Sequence, residues 1–414
     1  MKRFLFAAAL LCCATGSFAQ KFEGLAKTPT MGWNSWNTFR SDIDEQLVKE
    51  IADQFVALGL KDAGYEYVCL DDCWMSKERD AEGNLVPDPK KFPNGMKAVA
   101  DYVHSKGLKF GLYECAGTKT CAGYPGSHGH EYQDALKYAE WGVDFLKYDC
   151  CNTPQFAHGG SDRIWREWAY TTMRDALYAA GRPILFNLCE WGGSEPWLWG
   201  PAVGHSWRAT GDIGAVFDPV NANDGQWHPM GIMQIVGEHD NDVLRRAAGP
   251  GHWNDLDMLE VGNGDLTLFE NQTHFALWAM LCSPLIMGND IRQMSEQTKE
   301  ILTNREIIAL NQDELGIQAF KYETAGDIQI WAKPLSGGDW AFLFLNYSAK
   351  ETPLTFYWTG RVVTDRVFDK AVTFDEKTPY RVRDLYAGKN LGTTKTPLKV
   401  TLGKNQSLVV RLSK

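Results

Sequence analysis

The sequence predicts an α/β chain in which a (β/α)8 TIM barrel is followed by a C-terminal antiparallel β-sandwich domain. Three observations carry that prediction. From Thr28 to Gln312, short apolar runs alternate with segments whose apolar residues recur at helical spacing. Gly64, Gly107, Gly142 and Gly181 each stand between a helical segment and the next apolar run, where a helix can end in the left-handed conformation. After Gly316 the pattern becomes period-two alternation, broken by turn clusters such as Ser336-Gly337-Gly338, with no helical period as far as Lys414. The expected division is 1–19 signal peptide, 26–315 barrel and 316–414 sandwich.

Taken in order, the chain opens on a basic Met1-Lys2-Arg3, an apolar stretch over 4–14 and the small residues of Ser17-Phe18-Ala19 before Gln20. That is the layout of a secretory signal peptide, and its apolar part is too short to span a bilayer. No later run approaches the length of a membrane span, so an exported, periplasmic protein is expected. The strand-like runs fall at 31–36, 65–72, 108–114, 143–149, 184–191, 205–212, 253–259 and 285–290. Helical segments are expected at 43–60, 94–104, 131–141, 162–180, 266–280 and 300–310; the first puts Ile43, Leu47, Ile51, Phe55 and Leu58 on one face. Eight such β-α units fit the size of a barrel. The later runs, at 327–333, 340–346, 381–386, 398–402 and 407–412, have the length and alternation of sandwich strands.

Composition narrows the function. A net charge of −10 argues against a nucleic-acid partner, which needs basic patches. Of sixteen tryptophans, thirteen precede Asp313, and aromatic faces suit stacking on sugar rings as well as core packing. Eight cysteines remain after the signal peptide, with no C-x-x-C pair and no histidine at zinc spacing, so no metal motif is present. Export permits disulfides, and buried thiols with one or two bridges are expected.

The run 143–149 ends in Lys147-Tyr148-Asp149, and period two puts Lys147 and Asp149 on one face. A lysine beside a carboxylate favours its ionised form, which suits a nucleophile; a structural ion pair is the alternative. Nearly every other run also ends in reactive side chains: Asp71-Asp72, Tyr113-Glu114, Glu190, Arg208 with Asp212, and Asp255 with Asp257. Barrel strands deliver their C-terminal ends to one face, so these acids would crowd one rim at a cost in repulsion that points to function. Two chemistries fit. One is glycoside hydrolysis by two carboxylates. The other is metal-assisted proton abstraction, with Asp149, Glu190 and Asp212 on strands four to six holding magnesium and Lys147 as base. Trp33, Trp36, Trp74 and Trp191, at or just past strand ends, favour the sugar.

At these residues the chain resembles a known family. Met31-Gly32-Trp33-Asn34-Ser35-Trp36, Leu70-Asp71-Asp72-Cys73-Trp74, Lys119-Thr120-Cys121-Ala122-Gly123-Tyr124-Pro125-Gly126, Lys147-Tyr148-Asp149 and Trp253-Asn254-Asp255-Leu256-Asp257-Met258 are similar to the signature blocks of glycoside hydrolase family 27. That family comprises retaining α-galactosidases and α-N-acetylgalactosaminidases built as a barrel followed by a sandwich. The resemblance implies that Asp149 is the nucleophile and Asp212 the general acid/base. Asp71 and Asp72 would grip the galactose O4 and O6 region, Lys147 its O3 and O4, and Arg208 and Glu190 its O2. Trp33, Tyr113 and Asp257 would complete the pocket, and Cys121 and Cys151 would form a disulfide beside the sugar. No metal or organic cofactor is implied. A bulky Cys189-Glu190-Trp191 would clash with a 2-acetamido group, and an intact Asp71-Asp72 pair argues against a β-L-arabinopyranosidase. The resemblance therefore favours a retaining exo-α-galactosidase acting on oligosaccharides or polysaccharide side chains, over those two activities, a metal-dependent lyase or a non-catalytic galactose-binding protein.

Overall fold

In a computed structural model describing residues 21–154, 162–220, 224 and 226–414, eight short parallel strands form one ring. The expected signal peptide, residues 1–19, lies outside the described residues. The strands are β1 (Met31–Asn34), β2 (Tyr67–Cys69), β3 (Lys109–Cys115), β4 (Phe145–Asp149), β5 (Leu185–Cys189), β6 (Ser206–Arg208), β7 (Trp253–Asp255) and β8 (Leu285–Met287). Neighbours follow chain order, and β1 also pairs with β8. The ring closes just past β7, where the Leu259 N–H donates to the Ile286 carbonyl at 2.7 Å and the Gly288 N–H donates to the Leu259 carbonyl at 3.0 Å.

Helices cover the ring because their apolar faces match it. The helix Glu45–Ala57 buries Leu47, Ile51 and Phe55, and its N-cap Asp44 accepts from the Leu47 N–H at 2.7 Å. The glycines expected to end segments do so: Gly64, Gly107, Gly142 and Gly181 all have positive φ. No helical segment is expected over 192–204, and one expected segment, 300–310, departs. Between β5 and β6 there is no α-helix, only the 3-10 turns Pro196–Leu198 and Gly200–Ala202, because a stretch carrying Gly192, Gly193, Pro196, Gly200, Pro201 and Gly204 cannot sustain one. The segment expected over 300–310 divides into the helices Glu296–Leu302 and Arg305–Asn311, since Asn304 turns its side chain to cap Glu306 and Ile307.

After the barrel come β9 (Phe320–Ala325), β10 (Ile328–Pro334), β11 (Trp340–Asn346), β12 (Thr352–Phe356), β13 (Val362–Asp365), β14 (Lys370–Thr373), β15 (Arg381–Asp384), β16 (Lys389–Thr393), β17 (Leu398–Leu402) and β18 (Ser407–Ser413). Six of them form an antiparallel sheet ordered β16-β15-β18-β11-β10-β9, with β12-β17 and β13-β14 as two-stranded partners. Alternation gives the large sheet two buried faces. Ile330, Phe342, Phe344 and Val410 pack with Phe356, Trp358 and Phe374 inside the sandwich, whereas Trp331, Leu343, Leu345 and Val409 join the barrel's core.

Candidate active site

The C-terminal ends of the barrel strands surround a cavity of about 760 Å³. Register explains what reaches its floor. On β3, β4 and β5, Tyr113 pairs with Lys147 and Lys147 with Asn187, while Cys115 pairs with Asp149 and Asp149 with Cys189. Paired residues share a face, so Tyr113, Lys147, Asp149 and Cys189 all line the cavity. Tyr148, between the two charged residues, points the other way into an aromatic cluster with Tyr170 and Phe186.

Asp149 is buried and held at both oxygens. Its Oδ2 accepts from the Tyr113 hydroxyl at 2.8 Å and its Oδ1 from the Cys150 N–H at 2.8 Å. Cys121 and Cys151 form a disulfide that lies against it, with Cys121 Sγ 3.2 Å from Oδ2. These three residues offer donor atoms within 4.8 Å of one another, but the two sulfurs are bonded to each other and present no thiolate to a cation. Burial pushes the Asp149 carboxyl up to about 6, against the pull of Lys147, the Cys150 N–H and Tyr113. The lysine is the strongest pull toward the ionised form but does not outweigh burial, and its hydrogen bond goes elsewhere: Lys147 Nζ donates to Asp71 Oδ2 at 2.8 Å. Burial works to lower the Lys147 ammonium, and Asp71, with Cys189 and Asp149, more than offsets it.

The acid pair past β2 is fixed mostly by backbone. Asp71 Oδ1 accepts from the Asp72 N–H at 2.8 Å, and Oδ2 takes Asn34 Nδ2 at 2.9 Å as well as Lys147. Asp72 accepts from the Cys73 N–H at 2.7 Å and the Ala122 N–H at 2.9 Å. Across the cavity the buried Arg208 guanidinium joins two further acids. Its Nη2 donates to Asp212 Oδ1 at 3.1 Å and lies 2.9 Å from Asp257 Oδ2, which also accepts from the Ile213 N–H at 2.9 Å. Asp212 differs from every other acid here in openness, its side chain being 44% exposed. The cavity thus holds one anchored, dry carboxylate and one wet carboxylate beside a fixed cation.

A family model described as Alpha galactosidase A matches residues 28–313, and one described as Alpha galactosidase C-terminal beta sandwich domain matches residues 325–412. The chain belongs to the α-galactosidase family. It is 50% identical over 395 residues to Alpha-galactosidase A of Cellvibrio japonicus, covering 95% of this chain and 94% of that one. Among solved structures it is similar to alpha-galactosidase I from Mortierella vinacea, with TM-score 0.85 and 36% identity over 94% of this chain and 98% of that one. It is also similar to the α-galactosidase from Saccharomyces cerevisiae with raffinose, with TM-score 0.84 and 34% identity over 94% and 98%. The family is the one its five sequence blocks resemble.

Of the residues expected in the site, Asp71, Asp72, Tyr113, Lys147, Asp149, Arg208, Asp212, Asp257 and the Cys121–Cys151 pair line the cavity. Two do not. Trp33 is fully buried behind β1, donating from Nε1 to the Asn289 carbonyl at 2.8 Å; Trp36, three residues on, lines the cavity in its place. Glu190 is buried behind β5, where its Oε2 accepts from Arg166 Nη1 and the Ser194 N–H, each at 2.8 Å; its neighbours Cys189 and Trp191 are the cavity residues. The metal-binding trio of Asp149, Glu190 and Asp212 is therefore not brought to one side of the ring. Among the lining residues outside the expected set are Trp227, Asn263 and Glu260. Burial raises Glu260 to about 7, against hydrogen bonds from Asn263 and Asn37. An acid just beyond the 253–259 run was the available signal for it.

Proposed function

We propose that this member of the α-galactosidase family removes terminal α-linked galactose from oligosaccharides or polysaccharide side chains by double displacement. Asp149 attacks the anomeric carbon while Asp212 protonates the leaving oxygen; Asp212 then takes a proton from the water that releases galactose from Asp149. The observation that carries this reading is the contrast between the two acids across one cavity. Asp149 is dry and immobilised by two donors, as a nucleophile needs. Asp212 is open enough to exchange its proton with water between steps.

The other groups bind and orient the sugar. Asp71 and Asp72 keep lone pairs free beyond their fixed bonds, and Lys147 is held between them and Asp149, so hydroxyls on one side of the ring meet a rigid acceptor–donor–acceptor row. Arg208 is buried with Asp257 and faces the opposite side of the sugar. Export to the periplasm is part of the same proposal, supported by the N-terminal layout of residues 1–19 and by the Cys121–Cys151 bond. N-terminal sequencing of secreted material should begin at Gln20.

The deciding experiment is Asp149→Asn assayed on nitrophenyl α-galactoside. Turnover should be lost with the fold intact by circular dichroism, and a near-normal rate would overturn the assignment. Comparing aryl α-galactoside, α-N-acetylgalactosaminide and β-L-arabinopyranoside in the native enzyme tests the sugar, and the first should be strongly preferred.

A further inference from the structure

Away from the active site, a lysine and a cysteine meet in the dry seam between barrel and sandwich. Lys333 lies on β10 on the same face as Trp331, so its side chain enters the barrel's core rather than the sandwich's. Cys282 sits just past the helix Leu268–Met280, at a positive φ of 53° that turns its thiol toward the sheet. Both residues are 0% exposed. Lys333 Nζ is 2.8 Å from Cys282 Sγ and donates to the Ile317 carbonyl at 2.5 Å. Among the described residues no carboxylate forms an ion pair with Lys333. Of the six free cysteines among the described residues, Cys282 is the one whose sulfur meets a lysine.

A buried ammonium with only a carbonyl and a sulfur for company is costly. The contact is also short for nitrogen and sulfur, and a single oxygen atom spans it. We infer that Lys333 and Cys282 are a modification site, joined in the oxidised protein by a covalent N–O–S bridge. Dioxygen is the co-reactant. One of its atoms becomes the bridge and the other leaves as water. The ammonium first releases one proton to solvent; then the S–H bond, one N–H bond of the resulting amine and the O–O bond break, and S–O, N–O and two O–H bonds form. Sulfur and nitrogen each give up two electrons, and the two oxygen atoms take up the four. The product nitrogen carries no charge, which removes the buried ammonium. It also ties the end of a barrel helix to a sandwich strand, closing a loop of 51 residues. Like other first-stage thiol oxidations, it is reversible by thiols.

Intact-mass spectrometry of the full mature chain, purified in air without reductant, tests this directly. The bridge adds one oxygen and removes two hydrogens, so a species about 14 Da heavier than the chain with its single disulfide is expected, reverting on treatment with dithiothreitol. Proteolysis should yield one peptide pair linking residues 282 and 333. Cys282→Ala should lack the added mass, and dithiothreitol should lower the melting temperature of the native protein by several degrees more than that of the variant. A native mass showing six free thiols overturns the proposal. So does a loss of two hydrogens at this pair, which would be a direct N–S bond, or added mass that persists in Cys282→Ala.

Discussion

Removing the Tyr113 hydroxyl should move the enzyme's acid limb. In the native site that hydroxyl donates to Asp149 Oδ2 at 2.8 Å and so favours the ionised carboxylate, while burial acts the other way and leaves the group at about 6. A nucleophile must be ionised, so kcat/KM, which reports the free enzyme, should rise with pH through about 6. In Tyr113→Phe the charged form loses a donor and the neutral form loses little, so the group titrates higher and the limb moves toward alkaline pH. A hydrogen bond to a charged group contributes about 1.5–3 kcal/mol, and a tenfold change in an acid's dissociation constant corresponds to about 1.4 kcal/mol, so the full effect is a displacement of about 1–2 on the pH axis. The aromatic ring stays buried, and water entering the vacated space recovers part of the bond. The limb is therefore expected to move by about one pH unit. The assay is kcat/KM on nitrophenyl α-galactoside across the pH range in both proteins. The rate on the alkaline plateau should fall less than the rate at pH 5. An acid limb that stays in place, or moves toward acid, would refute the claim that Tyr113 holds Asp149 ionised.

Two further outcomes follow from the same burial. Asp149 stands at 3.8 when unperturbed and at about 6 in the fold, so the folded state bears a cost of about 3 kcal/mol once the pH exceeds both values. Asp149→Asn removes that charge and should stabilise the protein by up to that amount near pH 7, with the gain fading as pH falls through 6 and gone below about 4; denaturant titrations at the two extremes check it. Arg166→Met leaves Glu190 buried with the Ser194 N–H as its remaining partner, and should cost about 3–5 kcal/mol. Burial already raises the Glu190 carboxyl against the pull of Ser194 and Arg166, and losing the arginine raises it further. The loss should therefore be larger at alkaline pH than at mild acid, and equal losses at both would show that packing rather than charge is at stake.

The barrel was legible because buried parallel strands read as apolar runs that turn polar where they leave the ladder. The pocket was legible through one application of period two, which put Lys147 and Asp149 on a common face. The misplacements came from not applying it everywhere. Register carries the face of Asp149 to Cys115 on one side and Cys189 on the other, so Glu114 and Glu190, each one residue out of phase, must point behind the ring. Asn34 reaches Asp71 inside the barrel, so Trp33 faces outward by the same parity. What parity cannot supply is the partner. Nothing in the local sequence says that Lys147 bonds an acid on β2's loop rather than its strand neighbour, or that Arg166 waits behind β5. Those pairings depend on the radius of the closed ring and on which helix covers which gap. They also divide the labour among the acids. Carboxylates in phase with Asp149 enter the cavity, where water or substrate can solvate them. Those out of phase are either matched by a cation, as Glu190 is, or pushed by burial and by Asp134 well above the usual carboxylate range, as Glu114 is. A crowded row of strand-end acids is therefore two sets with opposite fates, and only the inward set is available for chemistry.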